Sequence, residues 1–145
     1  MKKNFLVIIF FWIATGVYLG MMAPGICADD SGELAGVAAT LGIAHSPGYP
    51  LFALIGRVFN LVFGLGSPAY RTNLVAVVLA TTGAAIIFLT LLRYSWMAAI
   101  FSGVFLLTNY FFINISVVTE VYGVAILLIS LILSEIVYCF EENFS

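Results

Sequence analysis

Charge is what this chain has least of. Its 145 residues include five Lys or Arg, seven Asp or Glu and one His, so charged side chains make up 8%, against about 25% in an average protein. Five cations cannot neutralise a stripe of phosphates, which excludes a nucleic-acid binder. Cys27 and Cys139 are too few for a disulfide framework or a zinc site. A single histidine and scattered acids lack the local spacing of metal ligands, so no metal is expected. What remains is apolar: 63% hydrophobic and 15% aromatic residues, with a mean hydropathy of +1.18. A domain of this size still exposes roughly 30% of its unfolded-state surface, and so apolar a surface needs lipid around it.

The expected fold is therefore all-α, a polytopic membrane domain over residues 1–145. Met1-Lys2-Lys3-Asn4 opens an apolar run over residues 5–22, long enough to cross ~30 Å of hydrocarbon. A cleaved signal peptide is the alternative, but its apolar core is usually ~7–15 residues, and Ile26-Cys27-Ala28 makes a poor cleavage site. Ile26 also stands where a lipoprotein cysteine wants a small neighbour, so an uncleaved helix is expected. Gly16 and Gly20 form a small-xxx-small pair able to seat another helix. Further runs place spans at about 5–24, 72–93, 96–113 and 120–140, four in all, with an outer loop over about 25–71. Trp96 and Tyr110-Phe111-Phe112 bracket the third as boundary aromatics.

Lys2, Lys3 and Arg93 fall on one side of this topology, Arg57 and Arg71 on the other. A fifth span over residues 49–65 would suit the positive-inside rule better. Arg57 near its centre opposes that, at ~2.5–3.5 kcal/mol for a charge facing lipid. Interfacial helices in the outer loop avoid the cost. Glu135 lies deep in the last span and is expected to face a neighbouring helix.

Asp29, Asp30 and Glu33 crowd into five positions just after the first span. Asp30-Ser31-Gly32-Glu33 has the spacing of a helix-capping arrangement. The same carboxylates, at the edge of a low dielectric, suit a general base for a hydroxyl; both readings stay open. His45, in the turn His45-Ser46-Pro47-Gly48-Tyr49-Pro50, is either a turn residue or a functional imidazole. Arg57 and Arg71 are snorkelling residues or phosphate clamps. Glu120 opens the last span as a dipole partner. Asn114-Ile115-Ser116 and Asn143-Phe144-Ser145 match the glycosylation tripeptide, a pattern that recurs by chance.

The order of these motifs is informative. Asp30-Ser31-Gly32-Glu33-Leu34 is followed by His45-Ser46-Pro47-Gly48-Tyr49-Pro50, then Gly56-Arg57, Arg71-Thr72-Asn73-Leu74 and Thr119-Glu120-Val121-Tyr122. This resembles the amino-terminal region of a bacterial family of multispan membrane proteins related to protein O-mannosyltransferases, within the GT-C superfamily of glycosyltransferases. The resemblance implies a transferase that uses a polyprenyl-phosphate-sugar donor and no further cofactor, with its active site on the non-cytoplasmic face. It implies Asp30 as catalytic base, with Glu33 as second candidate. It also implies His45, Tyr49, Arg57, Arg71, Asn73, Glu120 and Tyr122 as contacts to the donor or acceptor. The expected location is a bacterial inner membrane. Ser46 departs from the family, which has proline there. Members also run to several hundred residues, so the chain is expected to be either a truncated or split product or one that a partner chain completes. A non-catalytic membrane subunit, a transporter fragment or an inactive truncated product is the alternative to a transferase.

Overall fold

Hydrocarbon offers no water to unsatisfied backbone groups, so a chain this apolar folds by closing its hydrogen bonds within helices. A computed structural model describes residues 2–27 and 29–144, and among these it is helical without strands. Ala28 of the weak cleavage motif and Ser145 of the second tripeptide lie outside the described residues. The helices are α1 (Lys2–Met21), α2 (Ser31–Thr40), α3 (Pro50–Val62), α4 (Pro68–Leu92), α5 (Trp96–Thr108), α6 (Tyr110–Ser116) and α7 (Tyr122–Phe144). Lys3–Met21, Pro68–Leu92 and Tyr122–Glu142 are each long and apolar enough to cross a membrane. Together α5 and α6 make a fourth candidate span.

The span expected over 96–113 is broken: α5 and α6 meet at a bend of 66°, the form of a broken span or a re-entrant loop. The cause is Asn109, which leaves the helical backbone conformation and accepts the Phe112 N–H on its own side chain, capping α6 as a new helix. The break frees backbone acceptors in the last turn of α5. One of them, the Leu106 carbonyl, takes the hydroxyl of the fully buried Tyr18 at 2.7 Å. The fifth span is absent as well. With 13 residues, α3 rises only ~20 Å, short of the hydrocarbon thickness. It buries Phe52, Ala53, Gly56 and Asn60 and exposes Leu51, Leu54, Val58, Leu61 and Val62, the form of a helix lying along a lipid surface.

At the centre stands α4, with α1 and α7 packed on it. Phe10 stacks on Phe88 at 4.4 Å, and Thr15 Oγ1 donates to Thr81 Oγ1 at 3.2 Å. On the other side α7 comes so close that a Cβ on Gly83 would sit 2.8 Å from Ile126 Cγ2 and 3.2 Å from the Ile126 carbonyl. Close approach of this kind is how helices associate where lipid removes the hydrophobic drive. Gly16 and Gly20, expected to seat a helix, instead have open space beside them among the described residues. Gly83→Leu therefore overpacks the α4–α7 seam and should destabilise the protein by about 1–3 kcal/mol. Gly16→Leu should be neutral, and unfolding in detergent micelles compares the two.

Candidate functional site

Three chain segments meet at one end of the bundle, and a single amide holds them. Asn73, fully buried in the first turns of α4, donates from Nδ2 to the carbonyls of Ala23 and Gly25 at 2.8 and 2.9 Å. Its Oδ1 accepts from the backbone N–H of Thr119 at 2.8 Å and from the Thr119 hydroxyl at 2.5 Å. Two donors and two acceptors are the whole capacity of an asparagine side chain. Asn73, expected as a contact to the donor or acceptor, is thus fully buried with its hydrogen-bonding capacity filled. Its work is to fasten the segment after α1 to the segment before α7. The Ala23 N–H adds a bond to the Val117 carbonyl at 3.1 Å.

On this platform α2 begins. Asp30 takes the N-cap position, but its side chain caps nothing. Ser31 closes the local turn instead, its hydroxyl bonding both the N–H and the carbonyl of Cys27 at 2.9 and 2.6 Å. Half of the capping reading holds: the position is right, and the Asp30 carboxylate stays available. Glu33 does not reach back to the cap either. The chain leaves α2 through Leu41 in the left-handed region, turns at Gly48, whose N–H bonds the His45 carbonyl at 2.8 Å, and enters α3 behind Tyr49. That return carries His45 onto Glu33. The His45 N–H donates to Glu33 Oε1 at 2.6 Å, and Nδ1 lies 3.1 Å from Oε2. Nε2 of the same ring points to Asp30 Oδ2 at 3.7 Å, and the Tyr49 ring meets the imidazole edge-on at 5.4 Å.

Asp30, Glu33 and His45 place one donor atom each within 4.8 Å of one another. Residues 30, 33 and 45 are too far apart for a spacing argument to detect, so this grouping was invisible in the sequence. All three side chains are exposed, and the imidazole is already engaged by the carboxylates.

Beside the cluster lies a cleft of about 690 Å³, lined among others by Cys27, Asp29, Asp30, Asn114, Glu120 and Tyr122. It joins the acid cluster to the Glu120-Val121-Tyr122 motif across 90 residues of sequence. The Glu120 carboxyl is held above its ordinary range, chiefly by burial and next by the charge of Asp30, with Asp29 adding to it. The Glu33 carboxyl moves the other way, lowered first by the His45 backbone N–H and then by its ring. One site thus holds carboxylates pushed in opposite directions.

The two arginines serve the backbone. Arg57 donates from Nη1 to the Ala39 carbonyl in the last turn of α2, locking α3 against it. Arg71 gathers the α3–α4 loop, giving Nε to Leu65 O, Nη1 to Asn60 O and Nη2 to Gly66 O at 3.0–3.1 Å. The first glycosylation tripeptide is split: Asn114 lines the cleft, but Ser116 is buried with its hydroxyl on the Phe112 carbonyl.

A bundle of membrane-crossing helices with a carboxylate–imidazole cluster at one end is the class these features define. The family follows from comparison. Residues 30–144 match the model of the protein O-mannosyl-transferase TMEM260 N-terminal domain, and the chain belongs to that family. It is similar to a mouse protein named protein O-mannosyl-transferase TMEM260, 46% identical over 66 residues, 46% of this chain and 9% of that protein. A Dictyostelium discoideum protein named protein O-mannosyl-transferase tmem260 is 31% identical over 93 residues, 63% of this chain and 11% of its own. The chain thus spans about a tenth of the length of the curated relatives it matches. Both come from eukaryotes, so the expected bacterial inner membrane finds no support in them. No solved structure matches.

Asn73→Ala would strand two carbonyls, a backbone N–H and a hydroxyl, and should cost about 3 kcal/mol or more at 1–3 kcal/mol for each buried group left unpaired. Thermal unfolding in micelles measures it. The Glu33–His45 link has a definite pH sign. A folded-state pKa below the unfolded one stabilises above the ordinary glutamate range and is lost as pH falls through the lowered value. The His45 amide resonance should therefore hold steady down through the ordinary glutamate range and move only below it, and Glu33→Gln should erase that step.

Proposed function

We propose that the chain is the acceptor-activating part of a membrane glycosyltransferase of the GT-C type. In this reading it moves a sugar from a polyprenyl-phosphate donor to a hydroxyl on the non-cytoplasmic face of an integral membrane protein. The relatives' printed name adds mannose as the sugar and a protein as the acceptor. The observation that carries the proposal is the cleft in which Asp30 meets Glu120 and Tyr122, with Glu33 and His45 at its side. It lies outside the long apolar helices but at their ends, where a lipid-borne phosphate and a water-borne acceptor can meet.

The chemistry assigns each group a task. Asp30, the carboxylate without a capping bond, takes the proton of the acceptor hydroxyl as that oxygen attacks the anomeric carbon. The new C–O bond forms as the bond from the anomeric carbon to the donor phosphate breaks, and polyprenyl phosphate leaves with the electron pair. Glu33 fixes the imidazole so that Nε2 faces Asp30, which orients the base. Glu120 lines the far wall and can accept a hydrogen bond from a sugar or acceptor hydroxyl, and Tyr122 offers a ring and a hydroxyl to the sugar. Further spans, from this polypeptide or a partner, would close the cavity around the donor. A transporter would place its acids at mid-membrane; here Asp30 and Glu33 stand exposed beyond the end of α1.

Sugar transfer from polyprenyl-phosphate mannose to a serine- or threonine-bearing peptide tests the reading, in membranes holding the protein in its native context. Asp30→Asn should lower turnover by about 10²–10⁴-fold, the usual worth of a general base. Turnover equal to the unaltered protein would remove Asp30 from the mechanism.

A further inference from the structure

The last helix uses only one of its sides. Through Gly123, Ile126, Ser130 and Ser134 it meets α4, with Thr90 Oγ1 3.1 Å from Ser134 Oγ. Of the span Tyr122–Glu142 only 11% is buried, against 61% of Pro68–Leu92. Away from the seam, Leu128, Leu131, Ile132, Glu135 and Tyr138 are exposed, and at 3.6 residues per turn the other four fall within about 60° of Glu135. Glu135, expected to face a neighbouring helix, has none beside it among the described residues. Among the described residues its carboxylate has no hydrogen bond and no ion pair.

Its depth matters. Glu135 lies six residues before Glu141, which pairs with Arg93 at 3.7 Å at the far end of the bundle. Six residues rise about 9 Å along a helix, so Glu135 is sunk well below that boundary. A glutamate is too short to reach back to water as Lys and Arg do. Intramembrane carboxylates are accordingly found paired, facing protein. Among the described side chains the cations do not supply the pair. Arg57 and Arg71 hold carbonyls at the opposite end, and Lys3 and Arg93 sit at span termini. A second copy would bring another carboxylate to the same face.

We infer that the Glu135 face of α7 docks a transmembrane helix carrying a basic side chain at matching depth, from outside the residues described. Leucine and isoleucine supply the packing surface, and the carboxylate selects the partner by charge. Arginine fits best, because its planar fork satisfies both carboxylate oxygens at once. This inference is independent of the transfer chemistry at the other end of the molecule.

The test uses the whole chain, fluorescently labelled, in phosphatidylcholine vesicles. The probes are synthetic leucine–alanine transmembrane peptides with identical flanks and one variable position two turns from the matching end. Energy transfer should report association of the arginine peptide at least tenfold tighter than the leucine peptide. Glu135→Leu should erase the preference while leaving the α4–α7 seam and the helix content intact. Glu135→Arg should transfer the preference to a glutamate-bearing peptide. Equal association of the arginine and leucine peptides with the unaltered chain would overturn the inference. So would a preference that survives Glu135→Leu, or self-association of the chain stronger than its binding of the arginine peptide.

Discussion

The fold hangs on one buried amide. Helices in lipid satisfy their own backbones, but the segments that join them do not, and each loop end at the edge of hydrocarbon is a cost. Asn73 meets that cost for two loops together, accepting from one and donating to the other. Because Asn73 is fully buried and its bonds are short, they fix distances as well as supplying energy. The segment that leads into Asp29 and Asp30 and the segment that leads into Glu120 are held at a set separation, and the cleft between them exists because of that separation. The proposed chemistry and the fastening that makes it possible are adjacent but distinct.

A similar economy runs through the outer helices. Arg57 and Arg71 spend their guanidinium donors on carbonyls at the end of α2 and in the α3–α4 loop. Cations placed this way keep α2 and α3 against the bundle while the exposed Leu51, Leu54, Val58, Leu61 and Val62 of α3 meet lipid. Rigid placement of α2 and α3 is what allows a residue twelve positions away, His45, to meet Glu33 with both its amide and its ring.

How much of this was legible beforehand depended on the kind of physics involved. Long apolar runs announce themselves by composition, and α1, α4 and α7 fall close to where hydropathy puts them. The break in the third run was missed because one asparagine amid Leu107, Thr108 and Tyr110 looks tolerable in a span; its capping role shows only with its backbone. Glycines were misassigned for a related reason. Spacing marks Gly16 and Gly20 as partners, but whether another helix arrives is decided elsewhere, and it arrives at Gly83 and Gly123. At the site, the residue types were readable and their partners were not. Asp30, Glu33, His45, Glu120 and Tyr122 were named from their motifs and do converge. Arg57, Arg71 and Asn73 belong to the same motifs, and their bonds run to backbone and, for Asn73, to the Thr119 hydroxyl as well.

The kink at Asn109 and the hydroxyl of Tyr18 are one feature written in two places. Straightening α5 into α6 would return the Leu106 oxygen to the helical ladder and leave a phenolic proton in oil with nothing to receive it. Phenylalanine in place of the tyrosine would strand the oxygen instead. The first helix and the bent α5–α6 pair are therefore matched parts. Neither can be exchanged for a generic greasy rod, although nothing in the greasiness of either one says so.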